Sequence, residues 1–376
     1  MSRAPARSAA ELARPEVRAF RAYTLDLSPC RFKLDQNEVP WEPPPALKAE
    51  AARRLAASAW ARYPDFHADA LRAKLAARHG WTADGVLVGN GSNELLAATL
   101  AAVAGPGSTV TGLLPGFGLY PVFVLATGAR YEPLGPRADL ALPWAELEAA
   151  VEREPRRPVI VASPNNPTGE AIAPGRIARL AARLEAPLLL DNAYAEFCRH
   201  DYRPLLAAHP NLVIFRTFSK AWSLAGIRLG YLLGDPALVA EILKVKLPYN
   251  LGHAGAAIGE LALDWAAAAE RRVKQLVRRR PAWTDLLAGF GAEVFPSEAN
   301  FVLTRWPERE FGLLSGGLES HGIRVRNVST GPGLARCLRI SVAGGAALRA
   351  MKAALESLLG TSGDGGPEKL PEKGSR

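Results

Sequence analysis

The chain has 376 residues, carries 46 Lys+Arg against 37 Asp+Glu for a formal net charge of +9, and is 48% hydrophobic and 22% charged. That length admits two domains with a sizeable core, and the composition excludes a globally disordered chain. Cys30, Cys198 and Cys337 lie too far apart for a metal site or a disulfide framework, and no apolar run approaches the roughly 18–20 residues of a membrane span. The first twenty residues, with Arg3, Arg7, Arg14 and Arg18, lack the apolar core of a signal peptide, so a soluble, cytoplasmic protein is expected. The basic residues are scattered. Their densest run, Arg278 to Arg280, falls in an amphipathic pattern with Arg271, Arg272 and Lys274 and reads as a solvated helix face rather than a nucleic-acid surface. An anionic small substrate accounts for part of the excess.

In chain order, residues 1–40 form an N-terminal arm, and Trp41-Glu42-Pro43-Pro44-Pro45 reads as a stiff extended connector. From 41 to 273, short apolar runs alternate with helical stretches. Val86–Val88, Val159–Val161, Leu188–Leu190 and Val213–Phe215 predict strands buried on both faces of a mostly parallel sheet. Helices over Leu95–Ala104 and Ile177–Leu184 give a doubly wound α/β domain. Residues 274–360 change to a long helix, strands at Phe301–Leu303, Ile323–Val325 and Leu338–Ile340, and a closing helix over Ala347–Leu359. A smaller α+β domain joined by the N-terminal arm is expected there. Residues 361–376 are Gly-, Pro-, Lys- and Glu-rich and are expected to be a disordered tail.

Ligands of parallel sheets sit at the C-terminal strand ends, so the loop leaving each strand carries the information. Gly89-Asn90-Gly91-Ser92-Asn93-Glu94 offers a tight turn, Ser92 as a helix cap and a helix start whose free N–H groups suit an anion. Ser163-Pro164-Asn165-Asn166-Pro167-Thr168-Gly169 is a rigid turn presenting the Asn166 amide. Asp191 and Tyr194 can address a pyridine nitrogen and its neighbouring ring oxygen. Lys220, one of ten lysines, comes directly after Arg216-Thr217-Phe218-Ser219, with Arg228 eight residues on. A buried amine among cationic neighbours is primed for a Schiff base, and Ser219 and Arg228 suit a phosphate. Each motif alone is a common turn or cap. Together they supply a Schiff-base lysine, a pyridinium partner, ring-oxygen donors and a phosphate cup, which are the contacts pyridoxal 5'-phosphate requires.

From Arg14 to Leu359 the chain resembles the fold-type-I (aspartate-aminotransferase-like) pyridoxal-phosphate aminotransferases, and among them the histidinol-phosphate aminotransferases. The resemblance rests on Arg14–Arg18 with Tyr23, Lys33-Leu34 through Asn37-Glu38, Arg62-Tyr63-Pro64-Asp65, Gly89–Glu94 and Pro115-Gly116-Phe117. It continues through Ser163–Gly169, Asp191–Phe197, Arg216–Tyr231, Pro248-Tyr249-Asn250, Ala299-Asn300-Phe301, Gly322–Arg326 and Leu338–Val342. It implies Lys220 as the Schiff-base lysine and proton carrier and Asp191 on the pyridine nitrogen, with Asn166 and Tyr194 on the ring hydroxyl and Phe117 stacked on the ring. Ser92, Asn93, Ser219 and Arg228 would surround the cofactor phosphate, joined by Tyr63 from the second subunit of a homodimer. Arg339 would receive the anionic group of the substrate, Tyr23 and Arg326 its phosphate, and Asn37 would line that pocket. Departures are Asn192 for a usual glutamate, Asn93 for an aspartate, Phe117 for a tyrosine, and Ala343-Gly344-Gly345 for Gly-Thr.

The reaction so implied exchanges L-histidinol phosphate and 2-oxoglutarate for imidazole-acetol phosphate and L-glutamate, a step of histidine biosynthesis, without metal, nucleic acid or membrane. Threonine-phosphate decarboxylase and aromatic-amino-acid aminotransferase are the alternatives on the same scaffold. A non-catalytic pyridoxal-binding regulator would need a DNA-binding domain for which the forty residues before the large domain show no pattern. A dinucleotide-dependent dehydrogenase fails because no strand is succeeded by G-x-G-x-x-G.

Overall fold

The computed structural model describes residues 9–22, 24 and 28–360; Tyr23 and the tail from Thr361 lie outside the described residues. Its strands are β1 (Phe32–Leu34), β2 (Val86–Gly89), β3 (Thr109–Leu113), β4 (Arg130–Leu134), β5 (Val159–Ala162) and β6 (Leu188–Asp191). They continue as β7 (Leu212–Thr217), β8 (Gly230–Leu233), β9 (Glu293–Val294), β10 (Phe301–Arg305), β11 (Ile323–Asn327) and β12 (Cys337–Ser341). Seven form one sheet in the order β2-β8-β7-β6-β5-β3-β4, and five a second in the order β1-β11-β12-β10-β9. In the large sheet only β8 runs against its neighbours.

The apolar runs do bury both faces. Val159, Val161, Leu188, Leu190 and Ile214 pack into one core, while Ile160, Leu189, Val213 and Phe215 pack into another on the opposite face. Successive side chains of a strand point to opposite sides, so an unbroken apolar run is what a sheet covered by helices on both faces requires. The helices begin two or three residues before the sequence expectation, and the first two end one residue before it: Ser92–Val103, Pro174–Arg183 and Gly345–Leu359. The proline connector ends at Pro44, and Pro45 opens the helix Pro45–Ala57, where a missing N–H costs nothing.

The second sheet is antiparallel except for β1, which lies parallel to β11. The N-terminal segment thus supplies an edge strand to a sheet built from the C-terminal third. The helix Ala266–Gly289 runs unbroken through Val273 and Lys274, connecting the two sheets. Among the described residues no helix is long and apolar enough to cross a membrane.

Candidate active site

Strand register brings the informative strand ends together. Ala162 pairs with Asp191, Asp191 with Phe215, and both Thr217 and Gly89 pair with Gly230. The loops leaving β2, β5, β6 and β7 therefore open onto one edge of the large sheet. There they and residues of the second sheet enclose a cavity of about 310 Å³. Asn37, Ser92, Asn93, Phe117, Asn166, Asp191, Tyr194, Ser219, Lys220, Arg228 and Arg339 all line it, as do Asp35 and Gln36.

Lys220 comes after β7 and Phe218, whose fully buried ring fixes the turn. Its Nζ donates to the Gln36 carbonyl at 2.7 Å. Burial, then the charges of Arg339 and Arg228, push the ammonium down to about 7, with Glu38 acting in the other direction. Near neutral pH a substantial share of such an amine is neutral and so nucleophilic, where an ordinary lysine is almost wholly protonated. Asp191 ends β6 with its carboxylate inside the protein. Tyr120 donates to its Oδ2 at 2.8 Å and the Ala193 N–H to its Oδ1 at 3.2 Å. Burial raises this carboxyl, and the bond from Tyr120, the bond from Ala193 and the Lys220 charge offset part of that.

One edge of the cavity is an anion cup. Gly91 turns at φ 79° and is the N-cap of the helix that begins with Ser92. The expectation that Ser92 caps this helix is corrected: it is already the first helical residue, and no side chain caps the N-terminus. The first-turn N–H groups are thereby left for a ligand. Arg228, itself left-handed at φ 55°, donates from Nη1 to Ser219 Oγ at 3.1 Å and to the Ala225 carbonyl at 3.2 Å. A Cβ on Gly91 would stand 2.6 Å from Arg228 Nη2, and one on Gly230 would collide with the Ser92 nitrogen. Only glycine permits that approach. Behind the cup, Glu94 Oε2 accepts from the Asn90 N–H and from Asn250 Nδ2, which ties Pro248-Tyr249-Asn250 to the loop.

The opposite wall belongs to the second sheet. Arg339 on β12 donates from Nη1 to Asn166 Oδ1 at 2.7 Å and from Nη2 to the Asp35 carbonyl at 2.5 Å, and its guanidinium lies 5.4 Å from the Phe301 ring centroid. Both of these oxygens are neutral, so neither cancels the charge that an anionic ligand would meet. Asn37 donates from Nδ2 to Tyr194 Oη at 2.9 Å.

Two residues implied by the resemblance stand apart from this cavity, and a third is not described. Arg326 lies on β11 opposite Arg339 but is not among the lining residues. Tyr63 is 78% exposed and stacks on Tyr249 with ring centroids 4.3 Å apart. Tyr23 lies outside the described residues. Asn192 is buried and points away, donating to the Ser163 carbonyl and accepting from Arg216 Nη1 at 3.3 Å. An amide can do both; the glutamate common at this position could not donate to that carbonyl.

Sequence reading passed over three contributors. Gln36 and Asp35 act through backbone carbonyls, which no side-chain pattern reveals. Asp35 also encloses a carboxylate oxygen, Oδ1, that has no hydrogen-bond partner among the described residues. Tyr120 carried one faint signal, its place three residues after Phe117, against whose ring its own packs edge-on. Burial and the Asp191 carboxylate hold the Tyr120 phenol well above its ordinary range, so it remains a donor. Tyr120→Phe is expected to lower kcat roughly 3–10-fold, about 1 kcal/mol for one such bond, with melting little changed. Steady-state kinetics beside a melting curve would check this; an unaltered kcat would mean that Asp191 needs no such support.

These groups fit pyridoxal phosphate: an amine of lowered pKa, a buried carboxylate and the aromatic ring of Phe117 lining one cavity, and an anion cup in which Cβ atoms are not tolerated. Among the described residues no group of His, Cys, Asp and Glu is placed to hold a metal ion. Comparison with known proteins agrees. Residues 31–358 match the family described as aminotransferase class I and II. Histidinol-phosphate aminotransferase of Deinococcus radiodurans is 37% identical over 92% of this chain and 96% of its own length. That of Methylibium petroleiphilum is 39% identical over 89% and 91%. The crystal structure of histidinol-phosphate aminotransferase from Sinorhizobium meliloti, solved in complex with pyridoxal-5'-phosphate, superposes with a TM-score of 0.79 at 28% identity, covering 91% of this chain and 98% of that one. From the register of its strands to the residues at their ends, this chain belongs to the aminotransferase class I and II family, in the group of the histidinol-phosphate aminotransferases.

Proposed function

We propose that this chain is a pyridoxal-phosphate-dependent transaminase that exchanges L-histidinol phosphate and 2-oxoglutarate for imidazole-acetol phosphate and L-glutamate. The observation that carries the chemistry is Lys220 Nζ, lowered to about 7 and facing the same cavity as Asp191, Tyr194 and Arg339. Similarity to histidinol-phosphate aminotransferases along nearly the whole chain supports the substrate.

Pyridoxal phosphate, when bound, supplies an electron-withdrawing ring and an aldehyde that can hold and release an amino group. Asp191 would keep the ring nitrogen protonated, and Asn166 and Tyr194 would hold the ring oxygen. Phe117 would lie against the ring. Ser92, Asn93, Ser219 and Arg228 would hold the phosphate. Lys220 would anchor the cofactor and carry a proton to and from the substrate carbon through Nζ. Arg339 receives the anionic end of either substrate, and Arg326, Tyr23 and Asn37 complete the pocket around the substrate phosphate. On this reading, residues 41–273 hold the cofactor, while the arm through residue 40 and residues 274–360 bring the substrate-binding side chains to it.

The active form is a homodimer in which Tyr63 reaches the cofactor phosphate of the other subunit. Exposed aromatics around it, Trp60, Phe66 and Tyr249, support such a contact. An absorption titration of the cofactor-loaded protein tests the function. Yellow colour lost with L-histidinol phosphate and restored by 2-oxoglutarate is expected. Colour that responds only to another amine would overturn the substrate, and a protein that never turns yellow would overturn the cofactor assignment.

A further inference from the structure

Asn37 sits between the two sheets at φ 56°, a left-handed conformation that asparagine tolerates better than most residues. It is 1% exposed. Its backbone N–H donates to Ser341 Oγ at 3.0 Å, and Ser341 Oγ lies 3.3 Å from Asn37 Oδ1. Its carbonyl accepts from Asn300 Nδ2 at 2.8 Å. The remaining amide nitrogen, Nδ2, faces Tyr194 Oη at 2.9 Å.

These contacts set a direction. A backbone N–H can only donate, so Ser341 Oγ accepts from Asn37 and has its own hydrogen left for Asn37 Oδ1. The amide oxygen therefore faces Ser341 and the NH₂ faces Tyr194. Tyr194 Oη accepts on that side, which turns its hydrogen away from Asn37. Tyr194 lines the cavity, and a phenol that accepts one hydrogen bond is a stronger donor in the next. Ser341 stands two residues after Arg339 on β12, hence on the same side of the strand. The ring of Phe301 lies beneath both Arg339 and Tyr194, 5.4 and 5.1 Å from them.

We propose that Asn37, set by Ser341, is a positioning residue that aims the Tyr194 hydroxyl into the cavity as a donor to the cofactor ring oxygen. It thereby couples the strand that carries Arg339 to the electronics of the cofactor. This rests on the pyridoxal-phosphate reading above. Strengthening the Tyr194 donor stabilises an anionic ring oxygen and lowers the pH at which the bound cofactor loses its proton.

The test is the pH midpoint of the absorbance change of the cofactor-loaded protein. Asn37→Asp keeps the shape and the left-handed backbone but puts an acceptor where the donor was, pulling the Tyr194 hydrogen out of the cavity. The midpoint should rise by about one unit with Tyr194 present, and by much less in a Tyr194→Phe background. A new negative charge acting directly would shift both backgrounds equally, which would overturn the proposal, as would no shift in either. Ser341→Ala introduces no charge and covers the case in which Asn37→Asp does not fold. A smaller rise that vanishes with Tyr194→Phe is expected, and a shift indifferent to Tyr194 would overturn the relay. A protein that takes up no cofactor and stays colourless would bring down the cofactor assignment itself, and this inference with it.

Discussion

Lys220→Ala is expected to abolish transamination, with kcat falling about 10⁴-fold or more, the upper range for loss of a positioned proton carrier, compounded by loss of the covalent anchor. The anion cup is built without the Lys220 side chain, so the variant should still take up pyridoxal phosphate without covalent attachment. Borohydride treatment and then mass measurement would find the cofactor fixed to the parent protein and not to the variant. Retention of more than a small fraction of the activity would remove Lys220 from the centre of the mechanism. The lowered pKa adds a pH signature. Cofactor uptake by the cofactor-free protein should accelerate up to about pH 7 and then level off, where an ordinary lysine would keep accelerating toward pH 10. Arg339→Gln removes a charge that opposes protonation and should move the midpoint up; Glu38→Gln should move it down. The same burial affects stability. Between about pH 7 and 10 the unfolded chain holds this proton and the folded one does not, so the cofactor-free protein should gain stability as pH rises through that window.

The second large effect is expected at Asp191. Asp191→Asn preserves size and leaves an oxygen for the Tyr120 hydroxyl, which now bonds Oδ2 at 2.8 Å. What it removes is the negative charge that keeps a ring nitrogen protonated and the ring able to withdraw electrons. A fall in kcat of roughly 10²–10³-fold, about 3–4 kcal/mol, is expected, in line with loss of one preorganised electrostatic contact. KM for either substrate should change far less, because Arg339 and the anion cup are untouched. Stability should hold or increase, since burial already raises this carboxyl and disfavours its charged form. Full kinetics with both substrates would decide. A variant impaired mainly in KM would place Asp191 in substrate binding instead.

Much of the architecture is legible in the sequence. Val159–Val161 and Leu188–Leu190 are apolar at every position, which only a strand covered on both faces can use. Punctuation by Gly91, Pro164, Pro167 and Gly169 then locates the loops at the strand ends. Element limits are less legible. The helix after β2 starts at Ser92 rather than Leu95, because Gly91 can adopt φ 79° and let the helix begin at once. Nothing in the string Gly-Asn-Gly-Ser-Asn separates a capping serine from a first helical one, since both roles suit the same residue type.

By itself the sequence determined that Asn166, Asp191, Lys220 and Arg228 stand at strand ends or in the turns beyond them in a doubly wound sheet, because apolar runs, glycine and proline are local signals. Only the tertiary structure decided what stands across from them. The Gln36 carbonyl on Lys220, the Tyr120 hydroxyl on Asp191, and the bonds joining Asn37 to Ser341, 304 residues away, carry no local signature. The first and the last exist because β1 crosses to the edge of a sheet built from the C-terminal third, and the Tyr120 bond exists because the helix Tyr120–Thr127 packs over the end of β6 within the large sheet's own layer. A hydrogen bond needs two groups within about 3 Å, and for these pairs only the tertiary packing of segments distant in sequence provides that distance.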